Sequence, residues 1–160
     1  MDVEVAGPEP EPAVAGIETH PVGAETVEVD TGDGLMPGTL WLPPRGVGPG
    51  LLLLQEIFGV SNYIRRRAEE LAALGYVVLA PEIYWRLDDN ELDESAPDVL
   101  DRALAVVGRL DWDKAVSDDA AAFNHLSALA SVRDGVGAIG FCFGGGLAFN
   151  VAAVRSPDVL

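Results

Sequence analysis

Gly140-Phe141-Cys142-Phe143-Gly144-Gly145 is the stretch from which the rest of the chain is read. The apolar run Val136-Gly137-Ala138-Ile139 precedes it, and Gly146-Leu147-Ala148-Phe149-Asn150-Val151-Ala152-Ala153-Val154 follows. The first run predicts a short buried strand, and the second a helix with small and apolar residues nearly all round. Between them lies Gly-x-Cys-x-Gly-Gly, a cysteine form of the nucleophile-elbow pattern. A nucleophile at a sharp strand-to-helix turn is forced into strained dihedrals, and side chains two residues to either side would clash. Gly140 and Gly144 remove those clashes. Cys142 then projects above the sheet at the positive end of the following helix, where negative charge, and so the reactive thiolate, is favoured. The plain alternative is a buried Cys packing as a small hydrophobe. Strand, glycines and helix together favour the nucleophile.

Length and composition bound what this residue can serve. At 160 residues the chain is one domain at most, and its 49% hydrophobic content is ample for a core. The longest leucine run, Leu51–Leu54, is far too short to span a membrane. The acidic, proline-bearing N-terminus does not read as a signal peptide. A single Cys excludes an intramolecular disulfide and suits a reducing cytoplasm, the expected location. One Cys with two histidines, His20 and His125, argues against a structural zinc site, and no metal or cofactor is expected. A net charge of −16 argues against nucleic acid as a partner and is read as a solubility device.

Residues 1–24 read as an acidic disordered tail: Pro8-Glu9-Pro10-Glu11-Pro12 suits neither helix nor sheet, and His20 lies within it, solvated. The domain proper runs over 25–160. Glu25–Val29 alternates, Asp30-Thr31-Gly32-Asp33-Gly34 is a turn cluster, and Met36–Leu42 returns as a second strand, giving a hairpin. Gly50-Leu51-Leu52-Leu53-Leu54-Gln55 is apolar without alternation, as expected of a parallel strand covered on both faces. Glu56-Ile57-Phe58-Gly59 leaves its C-terminal end, the edge where ligand sites of open α/β sheets gather. On this stretch alone Glu56 could equally be a solvated strand-end charge.

Ser61 or Asn62 can cap a helix that Gly75 ends, and Tyr76–Ala80 is the next buried strand. Pro81-Glu82-Ile83-Tyr84-Trp85-Arg86 opens an acidic excursion through Asp98, in which Arg86 is the only cation. It is either an ion-pair partner for those acids or a substrate anchor, and the spacing leaves both open. Val99, Leu100, Ala103, Val106 and Val107 trace one helical stripe; Val116, Ala120, Phe123, Ser127 and Ala130 trace another, with His125 beside it as a boundary residue. Arg133-Asp134-Gly135 reads as the turn into the Cys-bearing strand, and Arg155-Ser156-Pro157 as the stop of the last helix.

Three separated stretches resemble the dienelactone hydrolase family, a branch of the α/β-hydrolases. They are the Cys142 elbow, Gln55-Glu56-Ile57-Phe58-Gly59 against the family's Gln-Glu-x-x-Gly, and Pro81-Glu82-Ile83-Tyr84-Trp85-Arg86 against its Pro-Asp-Leu-Tyr-x-Arg, with Glu in place of Asp. The resemblance runs from about Glu25 to Leu160. It implies an α/β fold of α/β-hydrolase type: a mostly parallel sheet with helices on both faces, C-terminally truncated. It further implies that Cys142 attacks a lactone or ester carbonyl and that Glu56 helps generate the thiolate. Arg86 would engage the substrate carboxylate, and the backbone N–H groups of Ile57 and Phe143 would form the oxyanion hole. Two preorganised donors are what a collapsing tetrahedral carbonyl oxygen requires.

One departure is clear. In this fold class the nucleophile precedes the acid and the His, yet no His follows Cys142 and Asp158 is the only acid after it. The expectation is therefore the N-terminal part of a hydrolase domain, with the full triad needing residues beyond 160. The alternative is a non-catalytic remnant, or a fragment served by a second chain that supplies the acid and His. A thiol redox role ranks last, because there is no resolving Cys. The expected partner is a small ester or lactone, with no membrane. Self-association is expected through the sheet edge that Val136–Gly140 would leave exposed.

Overall fold

The structure, a computed structural model, describes residues 23–155. Of the tail expected over 1–24, only Gly23 and Ala24 fall among them, and Ala24 already opens a strand; His20 and Asp158 lie outside. The elements in chain order are β1 (Ala24–Asp30), β2 (Leu35–Trp41), β3 (Gly48–Leu54), α1 (Asn62–Ala73), β4 (Val77–Pro81), α2 (Val99–Val107), α3 (Trp112–Ala128), β5 (Val132–Gly140) and α4 (Phe143–Arg155).

The strands form one sheet in the order β1-β2-β4-β3-β5. β3 pairs in parallel with both β4 and β5, whereas β1/β2 and β2/β4 are antiparallel. The sheet is thus mixed, because the N-terminal hairpin adds through β2 to the outer side of β4. Its turn is closed by the Thr31 N–H to the Gly34 carbonyl (3.0 Å) and by the Gly32 N–H to Asp30 Oδ1 (2.8 Å).

The pleat explains why four leucines in a row suit β3. Leu52 and Leu54 join Val77 and Leu79 on one face, packed with Ala115, Ala122, Leu126, Leu147 and Val151 of α3 and α4. Leu53, Val78 and Ala80 face the other way, against Ile64, Ala68 and Ala72 of α1. Burying one such branched side chain is worth about 1.5–3 kcal/mol, so both faces must be covered for the run to be stable. Ser61 is the N-cap of α1, its Oγ accepting the Ile64 N–H at 3.3 Å, and Gly75 ends that helix with φ +112°.

The structure departs from the sequence pattern at β5 and at α3. Arg133-Asp134-Gly135 lies within β5, as a bulge: Gly48 faces Val132 and Gly50 faces Val136, so three residues oppose Pro49 alone. Proline has no N–H for the ladder, and positive φ at Asp134 (+63°) and Gly135 (+95°) takes up the surplus. The buried face of α3 is Ala115, Val116, Asp118, Asp119, Ala122 and Leu126; Ser127 and Ala130 are exposed. The periodicity of apolar residues misplaced this stripe because two of its core positions are acids. Among the described residues β5 is the last strand on its side, and beside it α4 leaves Phe149 75% and Val154 62% exposed.

Candidate active site

The C-terminal ends of β3, β4 and β5 lie side by side, and the three segments leaving them carry every candidate residue. Leu54 pairs with Gly140, so the Gln55-Glu56-Ile57 and Phe141-Cys142-Phe143 segments leave neighbouring strand ends, joined by the Phe141 N–H to the Leu54 carbonyl (3.3 Å). Cys142 sits between β5 and α4 with φ +52°, a left-handed conformation costly for a residue with a Cβ, and it is exposed. The flanking glycines are required sterically. A Cβ on Gly140 would run into the Gly144 carbonyl, and one on Gly144 into the carbonyls of Leu54 and Gln55.

The backbone donors beside this turn follow from where α4 starts. The N–H groups of Gly144 and Gly145 turn back to the carbonyls of Phe141 and Cys142, both at 2.9 Å. Neither the Phe143 N–H nor the Ile57 N–H has a protein acceptor among the described residues. Such open donors are what an anionic oxygen can use.

Glu56 is half-buried, and its Oε1 accepts from the Ser61 hydroxyl at 3.0 Å. This carboxylate is therefore bonded to the α1 cap and not to the thiol. Glu56 borders a cavity of about 210 Å³ shared with Phe58, Glu94 and Val99. Glu94, from the acidic excursion, accepts the Asn62 N–H at the start of α1 (2.8 Å). A larger cavity of about 610 Å³, lined by Pro43, Arg45, Gly75 and Arg133 among others, lies at the opposite end of the sheet, away from Cys142.

Gln55, 1% exposed, accepts the Ile83 N–H through Oε1 at 3.2 Å and so ties the β3 and β4 segments. Tyr84 ties them again, its hydroxyl donating to the Ile57 carbonyl at 2.9 Å, and its ring packs 6.3 Å from that of Phe143. Burial pushes the Tyr84 phenol up to about 12. Trp112 also packs on Phe143, edge to face at 5.6 Å.

Arg86 pairs with acids from outside the excursion in which it lies. Asp118 of α3 takes its Nε (2.7 Å) and one Nη2 hydrogen (2.9 Å), while Asp33 of the β1–β2 turn takes Nη2 at 2.6 Å. The guanidinium stacks 4.1 Å over the Trp85 ring, whose Nε1 also donates to Asp118 (3.0 Å). Asp118 above all, then Asp33, holds Arg86 above the ordinary guanidinium range; Lys114 first, then Arg86, holds Asp33 below the ordinary carboxylate range. Nη1 of Arg86 has no partner among the described residues, and 27% of the side chain is exposed. Next to Asp118, Asp119 is fully buried with neither carboxylate oxygen hydrogen-bonded among the described residues; burial, then the Asp118 charge, raises it well above the usual range.

Sequence reasoning missed Asp118, Asp119, Tyr84 and Ser61 as parts of this network. A signal existed for one pair: Asp118 and Asp119 stand directly before Ala120-Ala121-Ala122-Phe123, so they adjoin the apolar stretch of α3. His125 is half-buried in the last turn of α3, as expected of a boundary residue. No cluster of metal-binding side chains occurs among the described residues, and no described helix is long and apolar enough to cross a membrane.

Comparison with known proteins bears on the family and the fold. The chain is 36% identical over 117 residues to "Carboxymethylenebutenolidase 1" of Cupriavidus pinatubonensis, covering 72% of this chain and 50% of that protein. It is 35% identical over 131 residues to a carboxymethylenebutenolidase of a Pseudomonas species, covering 81% and 55%. The crystal structure of a putative dienelactone hydrolase from Klebsiella pneumoniae superposes with a TM-score of 0.70 at 25% identity, over 84% of this chain and 55% of that one. The chain thus spans about half the length of the curated relatives it matches. Residues 36–159 match the sequence profile of one family, and the chain belongs to that family, the dienelactone hydrolases.

Proposed function

We propose that the chain carries the nucleophile half of a hydrolase that cleaves a lactone or carboxylic ester through Cys142. The observation that supports this most is the Cys142 turn itself: a positive-φ Cys at a strand-to-helix junction, exposed, flanked by two sterically required glycines and by two open backbone donors. On this reading the Cys142 sulfur forms a bond to the substrate carbonyl carbon. Negative charge collects on the carbonyl oxygen and is met by the N–H groups of Ile57 and Phe143. The C–O bond then breaks, the alkoxide leaves and takes up a proton, and an acyl-cysteine remains. Glu56 draws the thiol proton when its carboxylate leaves Ser61. Arg86, oriented by Asp118, offers its Nη1 hydrogens to a substrate carboxylate.

Hydrolysis of the acyl-cysteine needs an activated water, and no His lies between Cys142 and Leu160. The acid and His are assigned to residues beyond 160 or to a second chain. A non-catalytic remnant is the competing reading. The test is treatment with p-nitrophenyl acetate. We expect a burst of nitrophenolate of one equivalent per chain, blocked by prior iodoacetamide and absent in Cys142→Ala. A burst of full size in folded Cys142→Ala contradicts the assignment.

A further inference from the structure

We propose that Tyr84 is the positioning residue of the oxyanion hole, holding the Ile57 and Phe143 segments in one frame by its hydroxyl bond to the Ile57 carbonyl and its ring contact with Phe143. This rests on the Cys142 reading above. The two donors belong to different segments, one leaving β3 and one opening α4. An oxyanion hole works only when both lie about 2.7–3.1 Å from the developing anion, and misplacement by about 1 Å costs on the order of 100-fold. Tyr84 comes from a third segment, is 4% exposed, and touches both.

The Tyr84 backbone is held by Asn90, whose Nδ2 donates to the Tyr84 carbonyl (2.9 Å), and next to it by Gln55, which accepts the Ile83 N–H (3.2 Å); Phe143 in turn packs edge to face with Trp112 (5.6 Å). The hydroxyl bond pins the peptide that follows Ile57, and so the orientation of the residue whose N–H stays open. Because burial keeps the phenol protonated to about pH 12, the hydroxyl donates throughout any working range. A test of this role separates oxyanion stabilisation from general packing.

Two reactions of the same thiol do so. Acylation by p-nitrophenyl acetate forms the S–C bond, expels p-nitrophenolate and builds an oxyanion. Alkylation by iodoacetamide forms an S–C bond, expels iodide and builds none. In each the thiol proton passes to solvent or Glu56. Tyr84→Phe removes the hydroxyl and keeps the ring; Phe143→Leu removes the ring contact and keeps the hydroxyl bond. Measured on the 160-residue chain, each variant is expected to slow acylation of Cys142 about tenfold or more while alkylation stays within about twofold of wild type. If both reactions slow by the same factor, or the ratio is unchanged in both variants, the positioning role is overturned. If wild type itself is alkylated but not acylated at Cys142, the Cys142 reading falls first and this inference with it.

Discussion

Replacing Asp118 by Asn tests how the Arg86 corner is built. Asp118 receives three hydrogen bonds: Trp85 Nε1 and Arg86 Nε on one oxygen, and Arg86 Nη2 on the other. Its side chain is 3% exposed and that of Arg86 27%. Asn supplies one acceptor, turns an NH₂ toward a donor, and removes the charge that balances the guanidinium. Removing one member of a fully buried pair costs about 3–5 kcal/mol. Because Arg86 is partly solvated and keeps Asp33, the lower end applies, about 3 kcal/mol. Urea unfolding in dilute solution, followed by tryptophan fluorescence, measures the loss, since Trp85 reports on the same carboxylate. Arg86→Ala and the double variant close the cycle, and their combined loss should fall short of the sum by about 1.5 kcal/mol or more. A loss below about 0.5 kcal/mol with additive behaviour would refute the reasoning and mean that the fork is no clamp.

Asp119→Asn should change the pH dependence of stability. The folded state keeps this buried carboxyl protonated at pH values where the unfolded chain releases the proton. Stability therefore falls as pH rises from about 4, by at most about 1.4 kcal/mol per pH unit, until the folded carboxyl ionises; Asn removes that slope, as urea midpoints across pH 4 to 8 will measure. Ser61→Ala removes both the α1 cap and the hydroxyl donor to Glu56, and should cost about 1 kcal/mol in the same unfolding assay. The β5 edge, unpaired among the described residues, and the exposed Phe149 and Val154 should drive self-association of the 160-residue chain, seen by size-exclusion chromatography and reduced by Phe149→Ser.

The sequence was most legible where local pattern and backbone need coincide. Four unbroken leucines required a strand covered on both faces. Gly140, Cys142 and Gly144 required the turn they make, because only residues without a Cβ fit at the flanks. Legibility failed where structure depends on partners distant in the chain. Arg86 sits among acids of its own excursion in sequence, yet pairs with Asp33 and Asp118, 53 and 32 residues away. Periodicity misplaces the stripe of α3 because it counts apolar residues, while the buried face includes Asp118, held there by Arg86 and Trp85, and Asp119, which has no hydrogen-bond partner among the described residues. The bulge in β5 reads as a turn in sequence because its surplus residues answer Pro49 on a neighbouring strand, which no local window contains.

The central claim is that Cys142 is an acylated nucleophile, and mass mapping of the acyl group tests it most directly. After brief exposure of the 160-residue chain to an activated ester, the account predicts a single acyl group, on the peptide containing Cys142, with one equivalent of leaving group released and no sustained turnover. An unmodified Cys142 in a folded chain, or steady turnover that persists in Cys142→Ala, would contradict it.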